Sequence, residues 1–323
     1  MAVFGDSVGH QVEATHQFAS DVDEGLSGSP KKISSKYFYD KAGDALFVKI
    51  MHMPEYYLTR SEFEIFSQQT QELIDAFDFG DQPFQLIELG AGDGTKTIEL
   101  LRGLGSKPIT YVPIDISKNA LNQLSMRLSK ELPDLTVEPQ QGEYFEALGK
   151  LQKEVPKVVL FLGSNMGNLL DDQAKEFLKG LSEAMGEQDK LLLGLDLKKS
   201  TELVLPAYND AQGYTREFNL NVLRRINREL GADFDVSGFQ HLPSYDEQTG
   251  VASSHLLCTK QQSVTIAALN KTFQFEEGEE VHTEISRKYD LKTLEEIIST
   301  SGLKVKTVFK DSNEYFMDVL LGK

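Results

Sequence analysis

Between residues 84 and 197, short apolar runs alternate with amphipathic stretches, and this alternation sets the first expectation about the fold. Residues 85–89 predict a strand, followed by Gly90-Ala91-Gly92-Asp93-Gly94 and a helix over 95–104. Residues 109–115 predict a second strand ending in Asp115, 118–130 a helix, and 135–139 a third strand. The wholly apolar run 158–162 predicts a fourth strand, 173–185 a helix and 190–197 a fifth strand. Strands alternating with helices imply a parallel, doubly wound sheet. Apolar runs with no polar face suit strands covered on both sides.

The pattern differs on either side of this block. Residues 1–30 are polar and rich in Gly and Ser over Gly25 to Ser29, which predicts a partly ordered lead-in. Residues 36–60 are dense in aromatics, and 61–77 space their apolar residues as a helix does. From 198 to 286 the alternation stops: 203–230 reads as helix, and 251–259, 263–268 and 272–275 as strands. It resumes with a helix over 291–300, Gly302 as its C-cap, and strands over 304–310 and 315–321. The short link Asp311-Ser312-Asn313 forces that last pair to be antiparallel. A parallel sheet closed by an antiparallel hairpin resembles the Rossmann-like sheet of class I methyltransferases more than that of a dinucleotide-binding dehydrogenase. Residues 61–199 with 287–323 are the expected cofactor-binding domain. Residues 1–60 with 200–286 are the expected substrate-binding lobe, with the active site between the two.

Charge and composition narrow the function. A net charge of −17 without a basic cluster disfavours nucleic-acid binding, which depends on neutralising phosphates, and favours a small-molecule substrate. The single cysteine, Cys258, excludes an intramolecular disulfide and a cysteine-rich zinc site. The six histidines show no ligand spacing with carboxylates, so no metal is expected. No apolar stretch approaches the ~18 residues of a membrane span. The acidic start of the chain fits neither a secretory signal nor a presequence. The expected compartment is the cytoplasm, with no obligate protein partner evident.

The segment 88–94 has the form acid-x-Gly-x-Gly-x-Gly directly after a strand. Glycines there let the backbone turn tightly and approach a ligand that a Cβ would block. Nicotinamide and flavin proteins share such turns, so the turn alone does not choose the cofactor. Three details favour S-adenosylmethionine: the Gly-x-Gly-x-Gly spacing, Lys96 in the first helical turn to meet a carboxylate, and Asp115 placed for ribose hydroxyls. Asp115 could instead be an early helix N-cap, but Ser117 fills that role better.

Six segments follow one another along the chain: Lys36-Tyr37-Phe38-Tyr39-Asp40, Pro54-Glu55-Tyr56-Tyr57-Leu58-Thr59-Arg60, Tyr111-Val112-Pro113-Ile114-Asp115-Ile116-Ser117, Phe161-Leu162-Gly163-Ser164-Asn165-Met166-Gly167-Asn168, the stretch 218–232, and Thr283-Glu284-Ile285-Ser286. In this order they resemble one family, the histidine N-α-methyltransferases of ergothioneine biosynthesis. The resemblance implies that Gly90, Lys96 and Asp115 bind S-adenosylmethionine. Glu143 and Tyr144 fall where the family usually has Asp-Phe near the adenine. Tyr56 is implied at the cofactor–substrate boundary, and Asn168 and Tyr208 on the amino-acid head of the substrate. Tyr39, Glu284 and Ser286 are implied around the imidazole, with Asn168 and Tyr39 the catalytic candidates. Ser254 aligns where members accepting histidine commonly carry Met.

The chemistry asks for such groups on its own account. Methyl transfer from a sulfonium is an in-line displacement, so orientation and a dry site are the main requirements. An attacking amine must be neutral, and an amide such as Asn168 suits it better than a carboxylate that would favour ammonium. Glu284 and Ser286, two apart on a strand, would share one face and could receive an imidazole N–H. Each residue also has a plainer reading: Glu284 a solvated strand acid, Tyr39 and Tyr208 core tyrosines, Asn168 a helix cap. The expected reaction is N-methylation of the α-amine of free L-histidine, with the trimethylated betaine hercynine as end product. Alternatives are tryptophan or tyrosine as acceptor, as Ser254 suggests, a nicotinamide oxidoreductase, or a non-catalytic sensor of S-adenosylmethionine.

Overall fold

The computed structural model describes residues 6–142, 144–149 and 155–323, with side chains for all of these except 6–14 and 146. The chain divides into two compact units, Tyr57–Lys199 with Arg287–Lys323, and Met1–Tyr56 with Ser200–Ser286.

The first unit is built on one sheet. In chain order its strands are β1 (Phe84–Leu89), β2 (Ile109–Asp115), the short β3 (Thr136–Val137) and β4 (Gln140–Gln141), β5 (Lys157–Phe161) and β6 (Lys190–Asp196). The C-terminal pair Lys304–Lys310 and Phe316–Gly322 completes it. β1 lies between β5 and β2, all parallel, and β6 runs parallel to β5. Phe316–Gly322 enters antiparallel beside β6 and pairs antiparallel with Lys304–Lys310 at the edge. This is the class I methyltransferase sheet with its C-terminal hairpin. Every residue of β1 and β5 is buried, Gln85, Glu88 and Lys157 included, as strands covered on both faces require. Ile87, Val112, Val159 and Leu193 stand in one core cluster with Leu178 and Leu181 of the helix Asp171–Ala184.

Three details depart from the sequence pattern. The third strand, expected over 135–139, is cut to Thr136–Val137, and Gln140–Gln141 pairs with β2 separately. Pro139 between them offers no N–H to a ladder. The helix expected over 61–77 is two helices, Leu58–Gln68 and Thr70–Phe77. Ser299, not Gly302, caps the helix Leu291–Ile298, while Gly302 takes a left-handed turn position at φ 77°.

The second unit holds a three-stranded sheet with Val251–Cys258 between Glu280–Arg287 and Phe239–Asp246. A separate antiparallel hairpin joins Gln262–Ile266 to Lys271–Phe275. The helical stretch expected over 203–230 is interrupted. Pro206 lies in a 3-10 turn, Leu205–Tyr208, and the long helix Tyr214–Leu230 starts after Gly213. Asp210 accepts from the Tyr214 and Thr215 amides at 2.8 Å, satisfying two free donors at the start of that helix. The expected lead-in is instead a helix, Asp6–Ser27, with Phe18, Val22 and Leu26 buried at four-residue spacing. Ala19 and Gly25 widen that stripe with small residues only, which do not stand out in a polar stretch. Among the described residues, no helix is long and apolar enough to cross a membrane.

Candidate active site

The turn after β1 carries Gly90, Gly92 and Gly94 at φ 73°, 54° and 67°, all left-handed. The close approach is sharpest at Gly94, where a Cβ would come within 2.4 Å of Leu124 Cδ1. A Cβ on Gly92 would meet nothing within 4 Å, so the turn has an open side. At Gly90 a Cβ would lie 3.0 Å from the Tyr144 hydroxyl and 3.6 Å from the Asn165 amide nitrogen. Gly163, at the end of β5, is also left-handed, and a Cβ there would lie 3.7 Å from Lys96 Nζ and 3.9 Å from the Asn165 amide. Gly90, Lys96 and Tyr144 are thus brought together, and Asn165 joins them. Glu143 lies outside the described residues.

Asp115 ends β2, and its Oδ1 accepts from the Ser117 amide at 2.8 Å. Ser117 caps the helix Lys118–Glu131 through the Ala120 amide, so the cap does not need Asp115. Burial raises the Asp115 carboxyl above its usual pKa, against backbone hydrogen bonds from Ser117, Gly92 and Ile116.

A buried polar network underlies the turn. Lys96 pairs with Glu62, whose other oxygen accepts from the Gly163 amide at 2.8 Å. Burial works against the Lys96 ammonium, yet the carboxyl groups of Glu62, first of all, and of Glu88 and Asp318 together hold its pKa above the ordinary lysine value. Burial pushes the Glu88 carboxyl up to about 7, although Tyr111 and Thr97 donate to it. Asp318 is fully buried, and neither carboxylate oxygen has a hydrogen-bond partner among the described residues. Burial, reinforced by Glu62, pushes it well up. Glu62 and Asn165 were not picked out in the sequence. Glu62 sits 34 residues from Lys96 on an amphipathic helix, and no local pattern marks it.

Asn168 closes the 3-10 turn Asn165–Asn168 after β5 and is exposed. The next helix is entered through Leu170, so Asn168 does not cap it. In the other unit, Tyr39 is 42% exposed, with its ring edge-on to Phe47 and Phe218 at 5.5 and 5.4 Å. Phe47 also meets Tyr56 at 6.3 Å, so one aromatic cluster gathers both tyrosines. Tyr208 is buried at the end of its 3-10 turn. Glu284 is half-buried and Ser286 buried on Glu280–Arg287. Ser254 is buried, with its hydroxyl 3.1 Å from His241 Nε2. The Thr283 hydroxyl lies 2.9 Å from two acceptors, the Ser254 carbonyl and Asn219 Oδ1. Burial lowers the His241 pKa to about 4 and keeps the ring neutral. A Met at 254 would take that ring's hydroxyl partner away. No cluster of three or more His, Cys, Asp or Glu able to hold a metal occurs among the described residues.

The sheet order, the antiparallel hairpin and the open glycine turn beside Asp115 define an S-adenosylmethionine-dependent methyltransferase. Residues 18–323 match the family described as "Histidine-specific methyltransferase, SAM-dependent". The chain is 35% identical over 293 residues to a histidine N-alpha-methyltransferase of Mycolicibacterium smegmatis, covering 90% of each chain. It is 35% identical over 302 residues to the histidine N-alpha-methyltransferase of Mycobacterium tuberculosis, covering 93% of this chain and 91% of that one. Ergothioneine biosynthesis protein 1 of Neurospora crassa is 29% identical over 305 residues, 90% of this chain and 33% of its own length. The chain belongs to the family of S-adenosylmethionine-dependent, histidine-specific methyltransferases.

Proposed function

We propose that this protein methylates the α-amine of free L-histidine, with three additions giving the betaine hercynine. The observation that carries this reading is the family match over 18–323, joined to a glycine turn that is open at Gly92 and has Tyr144 and Asn165 beside Gly90. That turn fits the cofactor, since its left-handed glycines leave room where side chains would intrude. S-adenosylmethionine supplies an electrophilic methyl group on a sulfonium.

The remaining work falls to this chain's side chains. Gly90, Asp115 and Tyr144 hold the cofactor. Lys96 reaches toward the cofactor carboxylate while Glu62 keeps it charged and in place. Asn168 and Tyr208 orient the amino-acid head, and Tyr56 lies beside it. Asn168 adds no charge, so the amine can be neutral when its lone pair forms the N–C bond. The amine's proton leaves to water before each attack. Glu284 and Ser286 receive the imidazole N–H, and Tyr39 packs against the ring from the aromatic cluster.

Glu284 separates histidine from its rivals. Removing a charged hydrogen-bond acceptor costs about 1.5–3 kcal/mol, roughly ten- to two-hundred-fold in kcat/KM. Glu284→Ala should injure histidine methylation by that factor, spare cofactor binding and narrow the gap between histidine and tryptophan. Steady-state kinetics with both amino acids check this; unchanged histidine turnover would remove Glu284 from the site.

A further inference from the structure

The chain passes between its two units at three points, 56/57, 199/200 and 286/287. At each point a residue on the sheet-bearing side sends its side chain to one carboxylate, Asp196 at the carboxyl end of β6. The Tyr57 hydroxyl lies 3.0 Å from both Asp196 oxygens. Lys288 Nζ lies 2.8 Å from Oδ2, with both side chains fully buried. Lys199, with a side chain 7% exposed, pairs with Oδ1, donates to the Tyr315 carbonyl at 2.7 Å and lies over the Tyr57 ring at 4.5 Å.

Asp196 also meets the loop that ends in Asn168. Its amide donates to the Ser164 hydroxyl at 3.1 Å, and its carbonyl accepts from the Tyr289 amide at 2.7 Å. The Tyr289 hydroxyl in turn donates to the Met166 carbonyl at 3.3 Å. A Cβ on Gly167 would come within 2.8 Å of the Arg287 carbonyl, so loop and crossing approach as closely as glycine allows. One aspartate facing two buried lysines is an expensive arrangement that apolar packing could replace, so stability alone does not explain it.

We infer that Asp196 is a positioning residue for methyl transfer: it fixes the three chain crossings to one another and to the loop that presents Asn168. It touches neither substrate nor cofactor and acts through Ser164, Tyr57 and the two lysines. The kinetic side of this inference rests on the histidine reading; the backbone side does not.

Asp196→Asn would take a carboxylate away from two buried ammoniums and threatens folding, so Tyr57→Phe, which removes one hydroxyl, is the decisive variant. Hydrogen exchange on the full chain needs no substrate. Amides in 163–168 and 196–199 should exchange about tenfold faster in Tyr57→Phe, with the rest of the sheet unchanged. Histidine kcat should fall about tenfold while the dissociation constant for S-adenosylhomocysteine stays within about twofold. Ser164→Ala should reproduce the kinetic change, with faster exchange confined to 163–168. Unchanged exchange in both variants overturns the inference whatever the substrate, as does a lower Tm with exchange and kcat unmoved. Faster exchange in a protein that does not methylate histidine supports the tie and overturns the histidine reading instead.

Discussion

The two units differ in how their cores are made, and the difference decides how far each could be read from the chain. In the sheet-bearing unit β5 is buried at every residue, so its apolar run is visible without knowing its neighbours. In the other unit Val251–Cys258 is buried only at alternate residues, and its outer face carries His255 as well as Leu257. Its neighbour Phe239–Asp246 is mostly polar and holds Pro243, so the pattern hides a strand that pairs along its whole length. A sheet covered on both faces writes its position into single residues. A sheet covered on one face, closed by a sparse N-terminal helix, depends on contacts far apart in sequence.

The sharpest way to break this comparison is at Phe18. It is 2% exposed, and its ring stacks on Tyr37 with centroids 4.3 Å apart. Phe18→Ala should cost about 3–5 kcal/mol, the scale for a fully buried aromatic. Chemical denaturation checks this; a loss below about 1 kcal/mol would return the N-terminal helix to a loosely held lead-in.

The next effect tests the buried network under the glycine turn. With the Glu88 carboxyl at about 7 when folded and 4.5 as its ordinary value, the folded state keeps a proton that the unfolded chain gives up. Stability from this group therefore falls as pH rises from about 4.5 to 7 and stays low above that. Glu88→Gln should lack this loss and gain about 2–3 kcal/mol on the parent between about pH 5 and pH 8. Parallel stability curves for the two proteins would show that Glu88 is ionised in the fold.

The smallest effect concerns the cofactor alone. Asp115→Ala should weaken S-adenosylmethionine binding by about 1.5–3 kcal/mol, as loss of a charged hydrogen-bond partner does. Calorimetry reads it directly, and binding of NAD in place of the sulfonium cofactor would reverse the assignment. Asn168→Ala should behave the opposite way, lowering turnover more than cofactor affinity, because the amide orients the amine.

The glycine turn, Asp115 and the C-terminal hairpin were legible because each is a local pattern with one geometric solution. Tyr144 could be placed only by resemblance, and its hydroxyl over Gly90 emerges from the fold. Ser254 shows the limit from the other side. Alignment alone suggests a substrate contact there, and nothing in the chain announces the contact of its hydroxyl with the buried His241 ring, thirteen residues away. Glu62 carries no local signal, since its partners lie 34 and 101 residues away, and of the three side chains on Asp196 only Lys199 is near it in sequence.

The most direct test of the central claim is incubation with S-adenosylmethionine and all twenty free amino acids, with mass analysis and fragmentation of the products. The account predicts histidine as the preferred acceptor, carrying up to three methyl groups on the α-nitrogen and none on the imidazole. Methylation of tryptophan or tyrosine in preference to histidine, or of the histidine ring, would contradict it.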